Sequence, residues 1–323
     1  MFATAVVLIM LVIYTIFLLG VLSGWLWLPF TLEATLSKIV PGIAASFFTF
    51  SVLSMRELCS GAVVGWPYFK VQPVDQEVTN LMATPVALFS ALLIQGVLQV
   101  MSSANSQTLL VTPALVVHVV ATLFYTWQAF APSPCELQCC WPLARAGINP
   151  LHSALWMSSV SSQVMTLYGL SQSLQSAPST TTLVAVTGQR RACFALLCVS
   201  TMLITGALAD GYLRDERVSI AMAFVSFVAF YALLFTGIYL PLVDCYSHAV
   251  LSDNPWRKKS ATSYRAVCAY LVLAWHSFPL VWTANVLGKA TRTQIEIGYI
   301  ICDVLAKFLP PSLYLTVATS RTR

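Results

Sequence analysis

Apolar residues fill this chain in long blocks, and charged residues collect between them. No charged side chain occurs from Met1 to Leu32, from Val78 to Cys135, or from Ala146 to Gln189. Blocks of that length hold one or more helices of about 20 residues, the length that crosses the hydrocarbon core of a bilayer. The pattern predicts spans over about 3–28, 36–56, 83–103, 108–130, 149–172, 190–212, 217–243, 263–287 and 294–318, about nine in all. All are predicted helical, because backbone facing lipid must satisfy its hydrogen bonds within its own segment. The pattern is weakest over 56–82, where Gly65-Trp66-Pro67 and Pro73 interrupt it, and a loop with a short interfacial piece is expected there. The opening run to about Phe30 lacks a basic leader and is longer than a signal-peptide core, so it reads as a retained span.

Composition agrees with the pattern. The 323 residues are 58% hydrophobic and only 9% charged, whereas a soluble domain carries about 25% charged residues. The net charge of +5 belongs to the loops. No basic stripe alternates with aromatics, so nucleic acid is not an expected partner. Basic residues near span ends set the orientation. One side collects Lys38, Arg190, Arg191, Arg257, Lys258, Lys259, Arg265, Arg321 and Arg323, and the other Arg56, Lys70, Arg145, Arg214, Arg217, Lys289 and Arg292. The dense Arg257-Lys258-Lys259 cluster places its side, and the C-terminus, in the cytoplasm.

Among the nine cysteines, Cys193, Cys198, Cys268 and Cys302 fall in spans and read as packing residues. Cys59, Cys135, Cys139 and Cys140 fall in two loops on the non-cytoplasmic side, where disulfides form. Cys59 is a candidate to bond one of the other three; free thiols are the alternative. No histidine neighbours them, so a zinc site is not expected.

The chemistry begins at Lys307. It stands in Ile300-Ile301-Cys302-Asp303-Val304-Leu305-Ala306-Lys307-Phe308-Leu309, an apolar stretch near the C-terminus. A lysine at membrane depth costs roughly 3 kcal/mol on insertion scales, so it is expected to be paired, neutral or covalently modified. Asp303 lies one turn earlier on the same helix face, within pairing reach. In the preceding span, Trp275-His276-Ser277-Phe278-Pro279-Leu280-Val281-Trp282 places Trp275, Phe278 and Trp282 on one face, and Pro279 implies a kink. An aromatic stripe is more often packing than pocket, but this one neighbours the intramembrane lysine. The 149–172 span carries Trp156 and the hydroxyl-rich run Met157-Ser158-Ser159-Val160-Ser161-Ser162-Gln163, with no carboxylate.

These segments together resemble the type I (microbial) rhodopsins. Asp-Val-Leu-Ala-Lys resembles that family's retinal-lysine motif. Trp-His-Ser-Phe-Pro-Leu-Val-Trp resembles its sixth-helix motif, in the right order and on the adjacent helix. The resemblance covers about 83–319. It implies an all-α membrane protein: a seven-helix rhodopsin-like bundle over 83–323, with 1–82 added as a two-helix extension and loop. It further implies a Schiff base between Lys307 and retinal, with Asp303 as its counterion. Trp156, Trp275, Phe278, Pro279 and Trp282 would surround the polyene, joined by Ser159, Ala306, Met202 and Thr205.

The departures from the family bear on mechanism. Pumps carry an acid just before the third-helix tryptophan, where this chain has Leu155. Their arginine is His152 here, their threonine Ser159, and their cytoplasmic proton donor Thr166. Pro310-Pro311 follows the lysine where the family tends to have Phe-Gly, and the fifth helix lacks the expected tryptophan. A vectorial proton pump needs an acceptor and a donor on opposite sides of the lysine. With Asp303 as the one carboxylate at that depth, such a relay is not expected. The Schiff base is expected to have a lowered pKa or its band a longer wavelength. His152 is a candidate titratable group on the proton or ion path with Leu155 and Thr166, while His276 is expected to point away.

The expected function is therefore a non-enzymatic retinal photoreceptor conducting ions or signalling in light. A proton or anion is the expected ion, and a second copy or a transducer is a candidate partner in the bilayer. Two other readings compete. One is a secondary transporter without chromophore, using the Asp303–Lys307 pair. The other is a degenerate relative with a structural or interaction role.

Overall fold

The computed structural model describes residues 69–73, 80–102, 105–130, 135–139, 150–175, 182–207, 209 and 216–319. The two spans expected within 1–82, together with Cys59 and Cys140, lie outside them. Among the described residues seven helices follow one another. They are α1 (Ala83–Ser102), α2 (Asn105–Phe130), α3 (Pro150–Gln175), α4 (Thr182–Ala207), α5, α6 (Pro255–Val286) and α7 (Arg292–Thr319). Helix α5 is built in three parts, Glu216–Leu234, a π turn over Phe235–Tyr239, and Leu240–Val250.

The helices correspond to the seven later predicted spans, but several run past the expected ends. Charged residues mark where lipid stops, not where a helix must. Helix α6 starts well before the expected boundary because Asn254 accepts a hydrogen bond from the Trp256 N–H at 2.9 Å and Pro255 follows as the first helical residue. Arg257-Lys258-Lys259 is thus helical rather than loop. Helix α5 similarly continues through Asp244 to Val250. Arg191 of α4 reaches Asp244 at 2.5 Å, so this charged end of α5 is paired.

Two strands add to the predicted pattern. β1 (Phe69–Pro73) pairs antiparallel with β2 (Cys135–Cys139), with Phe69 opposite Cys139 and Pro73 opposite Cys135. Within the expected loop, residues 69–73 form an extended segment joined to the α2–α3 connection. Cys135 and Cys139 lie on β2, and their pairing with Cys59 falls outside the described residues.

Sequence neighbours pack side by side from α1 to α7, and α7 closes the ring against α1 and α2. Polarity is arranged inside out. Ser158, Ser159, Ser161, Ser162, Gln163 and Thr166 of α3 are buried, while Phe224, Leu273 and Leu280 face outward, about 70% exposed. Apolar side chains belong outside when the solvent is hydrocarbon. The α5 span Arg217–Val250 and helix α6 are long and apolar enough to cross a membrane.

Two apolar clusters fill the interior. The larger joins α3, α4, α5 and α6, and includes Trp275 and Ala306. The smaller gathers Phe89, Leu92, Phe124, Tyr125 and Leu155 from α1, α2 and α3. Asp303 and Lys307 stand at the seam between them. Two glycines fix α7 beside α6. Gly288 takes φ 62° just after α6, a left-handed cap that lets the chain reverse within a few residues. A side chain at Gly298 would come within 3.0 Å of Val281, so its absence lets α6 and α7 approach closely.

Candidate functional site

Helix α7 directs Lys307, Asp303, Tyr299 and Glu296 to one side, at helical spacing. Lys307 is 2% exposed and Asp303 0%. The lysine Nζ donates to Asp303 Oδ1. The same carboxylate accepts from the Tyr125 hydroxyl of α2 at 2.6 Å and from Trp156 Nε1 of α3 at 3.0 Å. His152 Nε2, also on α3, lies 3.0 Å from Oδ2. Four groups from three helices thus surround one carboxylate. A buried carboxylate is stable only with its lone pairs engaged and its charge balanced, and this arrangement supplies both.

Aromatic rings enclose the amine. Lys307 Nζ lies 5.7 Å from the Phe278 ring centre. Phe278 meets Trp156 edge to face at 5.3 Å, and Trp156 meets Tyr299 at 5.2 Å. Trp275 closes another side, its Nε1 donating to Gln163 Oε1 at 3.2 Å. From this corner a cavity of about 180 Å³ opens, larger than the roughly 150 Å³ that admits a benzene ring. Its lining has two parts. An apolar part, here the apolar limb, is formed by Met202, Leu203 and Gly206 of α4, Ala223, Ser226, Phe227 and Phe230 of α5, and Pro279 and Trp282 of α6. A polar part, the polar limb, is formed by His152, Tyr299, Asn285 and Glu296, the last two near the α6–α7 connection.

Of the residues singled out in the sequence, Lys307, Trp156, Ser159, Met202, Trp275, Phe278, Pro279, Trp282, Ala306 and His152 line the cavity. Asp303 lies directly behind the lysine. Four others lie elsewhere. The Thr205 hydroxyl turns back to the Thr201 carbonyl at 2.6 Å and does not line the cavity. Leu155 packs into the α1–α2 cluster. Thr166 donates to the Ser162 carbonyl at 2.7 Å, further along α3. His276 bonds the Val272 carbonyl and stands against Phe230 and Tyr231, off the cavity wall.

Several wall residues escape the sequence pattern. Tyr125 sits in a helix without a motif. Phe227 and Phe230 of α5 occupy the side where a tryptophan is expected. Glu296 corrects the expectation that Asp303 is the sole carboxylate. It is 8% exposed and lines the polar limb, one turn after Arg292 on the same helix. Its place seven residues before Asp303, two turns along the same face, is a readable signal.

No protein-family model matches this chain, and no curated protein matches it. Solved structures do. The thermophilic rhodopsin from Rubrobacter xylanophilus is 12% identical, with TM-score 0.58 over 75% of this chain and 96% of that one. Halorhodopsin, a light-driven chloride pump, is 15% identical, with TM-score 0.58 over 77% and 98%. The transmembrane domain of the Salpingoeca rosetta rhodopsin phosphodiesterase is 13% identical, with TM-score 0.59 over 95% and 97%. The chain has the fold of the microbial rhodopsins, an all-α membrane bundle.

Whether the site suits retinal is a question for its own residues. The group requires a primary amine free of bulk water, a fixed negative charge beside it, and a narrow apolar slot. Lys307, the three residues that bond Asp303, and the apolar lining from α4, α5 and α6 match these requirements in kind.

Proposed function

We propose that this protein is a retinal-binding photoreceptor in which Lys307 carries the chromophore. The observation that carries this reading is a buried amine and its carboxylate at the mouth of an aromatic-walled apolar slot. Retinal would supply absorption of visible light and a change of shape. The protein would supply the rest. Burial keeps bulk water from the Lys307 amine, the nucleophile that attachment requires. Tyr125, Trp156 and His152 hold Asp303 in place as the compensating charge. Trp156, Trp275, Phe278 and Trp282 confine the slot, so a shape change within it must press on α3 and α6.

The arrangement does not favour a typical proton pump. Leu155 offers no carboxylate and faces away from the cavity, and Thr166 is bonded to its own helix. Light would then either open an ion path or present an altered face to a partner. The polar limb favours the ion path, because His152, Asn285 and Glu296 extend it from the lysine toward the end of the bundle.

Adding all-trans retinal to the expressed protein tests the proposal. A visible absorption band is expected in the wild type and none in Lys307→Ala. A wild-type protein that folds and takes up no chromophore overturns the reading and leaves the chromophore-free transporter or the structural relative.

A further inference from the structure

Pro310-Pro311 stands immediately beyond the lysine, inside a helix that continues to Thr319. In an α-helix each N–H bonds the carbonyl four residues earlier, and proline has no N–H. Pro310 therefore deprives the Ala306 carbonyl of its donor, and Pro311 deprives that of Lys307. Both are in the turn from which the lysine side chain leaves. Neither carbonyl can turn to water here, since Ala306 is 3% exposed and Lys307 2%. A buried acceptor left unpaired is costly.

The Ala306 carbonyl is paired from outside its helix. Gln163 Nε2 of α3 donates to it at 2.6 Å. The other end of the same amide accepts from Trp275 Nε1 of α6 at 3.2 Å. One buried side chain thus joins the backbone beside the lysine to a tryptophan of the cavity wall. A neighbouring brace comes from Tyr270 of α6, whose hydroxyl donates to the Leu305 carbonyl at 2.8 Å. The second vacated carbonyl also has a polar neighbour. His118 of α2 meets the Lys307 backbone, although its ring nitrogens make no hydrogen bond of ordinary geometry in this conformation.

We propose that Gln163 is a positioning residue for Lys307, supplying the hydrogen bond that Pro310 denies to the Ala306 carbonyl and so fixing the lysine-bearing turn of α7 against α3 and α6. The importance of that turn as an attachment point rests on the retinal reading. The bond itself, and its dependence on Pro310, do not. The proposal absorbs two oddities together, a glutamine deep in a membrane helix and a double proline inside another. Each alone is unfavourable, and each supplies what the other lacks.

Epistasis tests this without the chromophore. Thermal unfolding is followed for detergent-purified apoprotein carrying Gln163→Leu, Pro310→Ala, or both. Alanine restores a backbone N–H to the Ala306 carbonyl, so glutamine should no longer be needed there. Gln163→Leu is expected to lower the midpoint by roughly 3–6 °C with Pro310 present, and by less than about half that in the Pro310→Ala background. If Gln163→Leu folds only in the Pro310→Ala background, that is the same interaction at its limit. Equal shifts in the two backgrounds, or failure to fold in both, overturn the proposal.

A second readout addresses positioning. In retinal-reconstituted protein, Gln163→Leu should shift the visible band and speed bleaching by hydroxylamine in the dark, and Pro310→Ala should reverse both. A variant that is destabilised but unchanged in band and bleaching makes Gln163 structural only and overturns the positioning role. A wild type without a band refutes the retinal reading, while the apoprotein cycle still decides the bond.

Discussion

Asp303 has more partners than a carboxylate needs for its charge alone, and that excess shows how its stability is divided. Lys307 balances the charge, while Tyr125 and Trp156 fill lone pairs and His152 Nε2 stands 3.0 Å away. Removing the lysine leaves an uncompensated buried charge. Lys307→Ala is expected to destabilise the apoprotein by about 3–5 kcal/mol. Lys307→Ala with Asp303→Asn should recover most of that loss, because the uncompensated charge goes too. Thermal or denaturant unfolding of the two variants measures this, and equal losses would show that the charge is not what matters. Tyr125→Phe removes one hydrogen bond to the carboxylate and should cost about 1.5–3 kcal/mol. At this scale the sequence was only partly legible. Lys307 and Asp303 declared themselves by polarity and spacing, and the Trp275–Trp282 stripe by period. Tyr125 did not, because an aromatic in an apolar helix looks the same whether its hydroxyl has a partner or not. Gln163 did not either, since its role depends on a proline in another helix.

Proline effects recur at the scale of the element. Pro241 follows the π turn of α5, in which the Leu240 N–H bonds the Phe235 carbonyl. In that register Pro241 would have served the Thr236 carbonyl and cannot. Tyr168 of α3 donates to that carbonyl instead, at 2.7 Å. Helix α3 thus repairs two neighbours, α5 through Tyr168 and α7 through Gln163. This accounts for Gln163 and for the Tyr168 hydroxyl, whereas Ser162 and Thr166 bond carbonyls of α3 itself. Tyr168→Phe is expected to cost about 1 kcal/mol, and Pro241→Ala should reduce that penalty; unfolding of the four proteins of the cycle reads it. Helices themselves were legible because blocks of apolar residues set their number and order. Their ends were not, since Asn254 and Pro255 start α6 by local capping well outside the lipid-facing run. The pairing of β1 with β2 was not legible, because it joins segments far apart in sequence, and the alternation in Phe69-Lys70-Val71-Gln72 and in Cys135-Glu136-Leu137-Gln138 is too short to name a partner strand.

On the scale of the whole molecule, the bundle separates two tasks in one cavity. The apolar limb between α4, α5 and α6 is suited to hold a hydrocarbon, and the polar limb along α7 leads from the lysine toward the α6–α7 connection. Glu296 lines that limb with His152, Asp303 lies behind the lysine and 3.0 Å from His152 Nε2, and Arg292 stands one turn before Glu296 on α7. If a light-opened path runs along these residues, Glu296 is the carboxylate that can set its selectivity, because Lys307 offsets the charge of Asp303. Under voltage clamp, illumination of retinal-loaded protein should give a stationary current whose reversal potential follows the cation gradient. Glu296→Gln should move that potential toward zero by weakening the charge at the outer end of the limb, with the visible band nearly unchanged because Asp303 remains beside the lysine. A band without any current would assign the polar limb to internal hydration and the protein to signalling. A current that Glu296→Gln leaves wholly unaltered would place the ion path elsewhere in the bundle.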